Sequence, residues 1–370
     1  MTPYLVMFTV VPLLLYLAKS CRGLLKCLLV AIALMIPCIY AGLRDVNVGT
    51  DVQTYLIWDF DLAKSVSLNT FLKLREGIAP IGYSIFIWII TKVTGSLVAV
   101  LFILQFLTIF PIYKSLEFYS ADSISVGIMV YLLLFYPISM NAMKQMVAVS
   151  WCLYSLIWML KSERIASLFS FLLALSFHQT AFLAIPIYIL GKIIYRSSDH
   201  RRYLRIYLLA MTGLLISMYI FRNHVTSLAS LKDSYEYVVT QKSHGINRSM
   251  LLMMILAIAI SLSVFNSKKF TADGRYADDN YFTNFVFVNL ILGIGLLMFQ
   301  FEIFGAGLSR MSYYYLIFLP IYTQLLFINR RFMNLGVILV IYLICYFIFN
   351  TVIIGGNQCY PFILNNNLFL

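Results

Sequence analysis

The sequence predicts an all-α, polytopic integral membrane protein, a helical bundle of about 12–13 hydrophobic segments. Three observations predict it. Of the 370 residues, 62% are apolar and the mean hydropathy is +0.88, well beyond what a water-soluble fold can place inside itself. Only 11% are charged. Those charges gather in short islands between apolar runs near the length needed to cross a bilayer.

Taken in order, the candidate segments lie near residues 3–18, 24–42, 78–93, 97–113, 124–140, 144–160, 165–178, 180–195, 203–221, 249–265, 282–301, 311–328 and 334–354. Several fall short of a full span. Such pieces are tilted, broken or re-entrant, and their free backbone groups must face protein or a water-filled cavity. No Pro/Gly/Ser-rich linker, low-complexity tract or internal repeat interrupts the chain, so residues 1–370 read as one integral membrane domain. The first segment has no basic residue ahead of it, whereas Lys19, Arg22 and Lys26 follow. That is the reverse of a secretory signal peptide, and the segment is expected to stay as an outside-to-inside anchor.

Lys and Arg in short loops are retained on the cytoplasmic side, so their positions orient the chain. Five segments, Lys19/Arg22/Lys26, Lys161/Arg164, Lys192/Arg196/Arg201/Arg202/Arg205, Lys268/Lys269/Arg275 and Arg330/Arg331, hold 15 of the 27 basic residues. This places large outer loops at 43–77 and 222–248, with 301–310 and the tail after 354 on the same outer face. One conflict follows. If all four segments between 78 and 160 crossed, Lys161 would emerge outside; the expectation is that one is re-entrant, with the polar turn Asn141 to Gln145 reaching the outer face. The net charge of +12 is thus a topology signal and an attraction to anionic headgroups. A nucleic-acid partner is excluded, since no soluble basic face exists to present to it.

The six cysteines show no CxxC spacing and the four histidines no HExxH, so no metal site, disulfide framework or cofactor is expected. Chemistry is expected in the polar islands instead. Residues 42 to 55 set Arg44, Asp45 and Asp51 directly after an apolar run. Gly49 permits a tight turn, and Thr50 with Gln53 could open a short helix carrying Asp51 and Tyr55 on one face. Arg44 suits bidentate contact with phosphate or carboxylate, and Asp51 suits proton transfer; equally, the group could pin a loop and cap a helix. Asp59-Phe60-Asp61 spells DxD, a divalent-ion motif in soluble nucleotide-sugar transferases, but without a nucleotide-binding domain around it the reading is a solvated acidic edge. Glu76 could orient a sugar hydroxyl or favour a helix N-terminus.

Lys144 and Gln145 interrupt apolar sequence where a cation is expensive unless paired or hydrated, which favours phosphate or partner binding over a snorkelling lysine. His178 reads as a helix-end histidine, buried and hydrogen-bonded, or as a functional group among other outer polar residues. Arg310 follows a glycine-bearing break at Gly305 and Gly307 and precedes Tyr313. It could bind phosphate or serve as an interface anchor.

In this order, Arg44 through Gly49-Thr50-Asp51 to Tyr55, Glu76 to Tyr83, Asn141 to Ala148, Phe177-His178 to Ala181, and Arg310 to Tyr313 resemble the EpsG/Wzy group of bacterial polysaccharide polymerases. Lys144 stands where that family usually has arginine, keeping the charge and losing the planar fork. The resemblance implies a glycosyltransferase of the bacterial inner membrane, working on the periplasmic face without metal or nucleotide sugar. It would join oligosaccharide repeat units carried on undecaprenyl diphosphate, as both donor and acceptor, with a chain-length regulator as an additional partner. Arg44, Lys144 and Arg310 then fall to the diphosphate, Asp51 or His178 to acid–base duty, and Glu76, Gln145 and Tyr313 to sugar positioning. An O-antigen ligase uses the same donor type. A flippase of lipid-linked units ranks lower, since transporters show repeated halves and mid-membrane polar sites.

Overall fold

The computed structural model describes residues 1–196, 200–220, 279–303 and 310–365. Among them the regular structure is helical: α1 (Thr2–Ser20), α2 (Gly23–Leu43), α3 (Ile57–Ser65), α4 (Leu68–Arg75), α5 (Ile81–Thr94), α6 (Leu97–Tyr119), α7 (Ile124–Asn141), α8 (Met143–Leu160), α9 (Arg164–Phe177), α10 (Ile185–Arg196), α11 (His200–Ile220), α12 (Asp279–Ile303), α13 (Leu319–Ile328) and α14 (Met333–Phe347). The candidate segment at 249–265 and the loop at 222–248 lie outside the described residues; the other candidate segments all fall on helices. Seven described stretches are long and apolar enough to cross a membrane: α1, α2, α6, α7, α8, residues 310–328 and residues 333–353. The protein is therefore a multi-pass membrane protein.

The chain forms two compact units, Met1–Phe182 with Gly336–Leu370, and Leu183–Leu335. In the first, α7 and α8 bury most of their surface, whereas α1 and α2 leave most of theirs exposed. The central pair is thus wrapped by protein and the outer helices offer apolar faces to lipid.

One end of this unit is basic. Lys19 pairs with Asp122 at 3.3 Å, Lys114 with Glu117 at 2.7 Å, and Lys161 stands 4.6 Å from the Phe118 ring. The tail of α6, the start of α7 and the end of α8 therefore meet there. At the opposite end, α2 finishes against the beginning of α6, so closely that a Cβ on Gly42 would lie 3.0 Å from the Val98 carbonyl oxygen. Residues 44–96 consequently leave and re-enter the bundle at the same end. With only 14 residues, α5 reaches about 21 Å at 1.5 Å per residue, short of a bilayer. It lies along α3, tied by the Trp88 indole N–H to the Val66 carbonyl (3.1 Å) and the Lys92 ammonium to the Lys64 carbonyl (2.9 Å). The crossing conflict thereby resolves: α5 is the non-crossing segment, and the Asn141–Gln145 turn sits opposite the basic end.

The segment 43–77 is largely helical, comprising a π-helical turn Val52–Leu56, α3 and α4. Its first residues are strapped by the C-terminal stretch. The Asp45 N–H donates to the Ile363 carbonyl (2.8 Å), Gly49 N–H to Gln358 (2.9 Å), and Asn365 N–H to Leu43 (2.9 Å). These bonds satisfy backbone groups that would otherwise be orphaned near the bilayer.

In the second unit, the Tyr207 hydroxyl of α11 contacts Asn289 Oδ1 of α12 at 3.5 Å. Phe285 of α12 meets Phe318 edge to face with ring centres 5.6 Å apart. A 3₁₀ turn, Arg310–Ser312, and a single helical turn, Tyr313–Leu316, lead into α13.

Candidate functional site

The first turn of α8 organises the site, because successive helical residues point about 100° apart and so address different neighbours. Met143 receives Arg44, whose Nη2 lies 3.1 Å from the thioether sulfur. Lys144 stands over the Tyr55 and Tyr83 rings, 3.6 and 4.8 Å from their centres. Gln145 donates from Nε2 to the Thr180 hydroxyl at 3.4 Å. Four elements, the end of α2, the π-helical turn, α5 and the turn after α9, thereby converge on three adjacent residues.

Arg44 is 3% exposed at the end of α2, and its Nε and Nη1 find no hydrogen-bond partner among the described residues. It borders a small cavity lined by Gln105, Thr108, Ser139 and Met143. Burial lowers the guanidinium from its usual value, while Asp51 opposes that shift. Arginine stays charged in proteins, so a buried guanidinium with two unsatisfied nitrogens is a ready anion acceptor.

Asp51 precedes the π-helical turn and accepts a hydrogen bond from the Tyr55 hydroxyl. The pair shares one face, yet the expected capping arrangement does not form. Thr50 bonds Asn141 and Gln53 bonds Asn47, because the loop is docked onto the α7–α8 junction. Gly49 makes the docking feasible. Its φ is +84°, and a Cβ there would sit 2.4 Å from the Met140 carbonyl oxygen.

Beside it lies a cluster that sequence reasoning did not join. Asp59 pairs with Arg75 (Nε to Oδ1, 2.9 Å) and accepts the Tyr83 hydroxyl at 3.0 Å. The solvated-edge reading of Asp59 is therefore corrected: the side chain is fully buried, whereas Asp61, two residues on, faces solvent. Two helical positions 200° apart cannot chelate one ion. Burial pushes the Asp59 carboxyl above its ordinary range, opposed by Arg75, the Tyr83 hydroxyl and Lys144. Asp59 stood out only as part of the DxD and Tyr83 only as the close of the Glu76 motif; nothing joined them to each other or to Arg75, which is 16 residues from Asp59 with no periodic link.

At the α9 terminus, His178 Nδ1 lies 2.7 Å from the Thr180 hydroxyl and accepts the Thr180 backbone N–H at 3.3 Å. With Nδ1 an acceptor, the neutral ring carries its proton on Nε2. Glu76 is exposed at the C-terminal end of α4, where its backbone N–H donates to the Lys73 carbonyl (3.4 Å), which corrects its reading as an N-terminal cap. Arg310 and Tyr313 are half-buried in the second unit. The structure thus brings together Arg44, Asp51, Lys144, Gln145 and His178 around one helix start.

A family model described as EpsG family matches residues 27–364, nearly the whole chain. No curated protein and no solved structure matches.

Proposed function

The chain belongs to the EpsG family of Wzy-type, polymerase-like membrane proteins, and from that premise we propose that it joins oligosaccharide units carried on undecaprenyl diphosphate, at the membrane face opposite the basic end. The observation that carries this reading is Arg44, a buried cation with two unsatisfied nitrogens that docks on Met143, the residue before Lys144 at the start of α8. Two cations converging on one helix start, one of them a guanidinium with two nitrogens lacking hydrogen bonds, suit a leaving diphosphate.

In the reaction, a hydroxyl oxygen of one unit attacks the anomeric carbon of the other. The new C–O bond forms as the bond from that carbon to the phosphate oxygen breaks, its electron pair leaving on the diphosphate. The hydroxyl proton passes to Asp51. Base duty falls there and not to His178, whose Nδ1 lone pair already accepts from Thr180. The His178 Nε2–H donates to a sugar or phosphate oxygen. Gln145 holds that histidine through Thr180. Arg310, Tyr313 and Glu76 are assigned to diphosphate and sugars on the family resemblance alone.

Reconstituted protein supplied with defined lipid-linked repeats tests the proposal. Wild type should yield long chains. Arg44→Ala and Asp51→Asn, at normal membrane level, should lower polymer yield at least a hundredfold while single units accumulate, in the range expected for losing a charge-stabilising or acid–base group. Unchanged chain length in both variants would discard the assignment. Transfer to a foreign acceptor without chain growth would identify a ligase instead.

A further inference from the structure

Lys144 occupies an unfavourable place, since a cation in the first turn of α8 opposes the helix dipole. What compensates is arranged on both sides of it. Tyr55 presents its ring at 3.6 Å and donates its hydroxyl to Asp51; Tyr83 presents its ring at 4.8 Å and donates its hydroxyl to Asp59. The two rings meet edge to face with centres 6.0 Å apart. A phenol that donates to a carboxylate has a more electron-rich ring, and such a ring holds an ammonium more strongly. Arg75 anchors the far side by pairing with Asp59.

We infer that Tyr55 and Tyr83 are positioning residues for the glycosyl transfer: Tyr55 couples the Lys144 cation to the Asp51 carboxylate, and Tyr83, fixed by Asp59 and Arg75, holds Lys144 from the other side. This rests on the proposed polymerase reading and adds a consequence that the reading lacks. The charged and titratable groups acting on Asp51 include Arg44 at the end of α2, Tyr55 from its own turn and Tyr83 from α5, while Lys144 of α8 stands on the far side of the Tyr55 ring. Of these, Tyr55 donates the hydrogen bond. A donor to the ionised carboxylate favours that form, so removing it makes Asp51 easier to protonate.

Two measurements test the inference. First, polymer formation is followed against pH for wild type, Tyr55→Phe and Tyr83→Phe. In Tyr55→Phe the acid limb should move up by about one pH unit, with yield recovering at higher pH. Tyr83→Phe, whose hydroxyl serves Asp59, should lower yield without moving the limb. An unmoved limb in Tyr55→Phe overturns the coupling, and equal shifts in both variants overturn the division of roles. Second, thermal unfolding of the detergent-solubilised protein is compared for Tyr55→Phe, Asp51→Asn and the double variant. The double variant should lose less than the sum of the singles, and strict additivity overturns the contact. This cycle needs no catalysis. Coupling in the cycle together with a wild type that makes no polymer would sink the polymerase reading, and the positioning role of Tyr55 in it, while the contact itself stood.

Discussion

Asp59 and Asp61 are the same residue type two positions apart, and the fold treats them oppositely. Asp61 faces solvent, whereas Asp59 is fully buried against Arg75 and Tyr83. Breaking a buried pair by removing one partner leaves an uncompensated charge, a loss of about 3–5 kcal/mol. Arg75→Ala should therefore lower the unfolding temperature in detergent markedly, and Asp61→Ala should leave it within experimental error. Equal, small effects would show that the pair is not desolvated in the membrane. Lys144 makes a related point. Its sequence context marked it as costly, but only the assembled rings of Tyr55 and Tyr83 show how that cost is met.

Among the elements, α5 shows why hydropathy alone miscounts spans. Its apolar composition is that of a crossing helix, yet it is only 14 residues long and bonded along α3. The neighbours decide, because α2 ends where α6 begins. In a cysteine-free background, Glu76→Cys, before α5, and Thr94→Cys, at its last residue, should both react with an impermeant thiol reagent from one side. Glu163→Cys, beyond α8, should react only from the other. Labelling of Glu76→Cys and Thr94→Cys from opposite sides would mean that α5 crosses. The seven long spans among the described residues were legible, since each is a long apolar run flanked by charges or turn residues that the bilayer keeps out of its core.

At the scale of the whole molecule, the first unit is closed by residues from both ends of the sequence. The Tyr4 hydroxyl donates to the Cys359 carbonyl at 2.8 Å, and the C-terminal stretch accepts backbone N–H groups of Asp45 and Gly49. The loop bearing Arg44 and Asp51 is thus held in part by residues more than 300 positions away. Ending the chain after Ile354 should leave an inserted protein that yields little long-chain polymer. An unchanged chain-length distribution would show that docking onto α7 and α8 suffices to hold the loop.

What the sequence determined by itself is the solvent: an apolar excess in long runs commits the chain to a multi-pass helical protein, because lipid permits few alternatives. It also marked Arg44, Asp51, Lys144, Gln145 and His178, since polar groups are conspicuous against an apolar background. Only the tertiary structure decided which of them meet, that Asp59 joins Arg75 and Tyr83, and that the C-terminal stretch completes the loop. Those contacts are non-local pairings of side chains and backbone groups, and no helical or strand period in the sequence encodes a partner tens or hundreds of residues away.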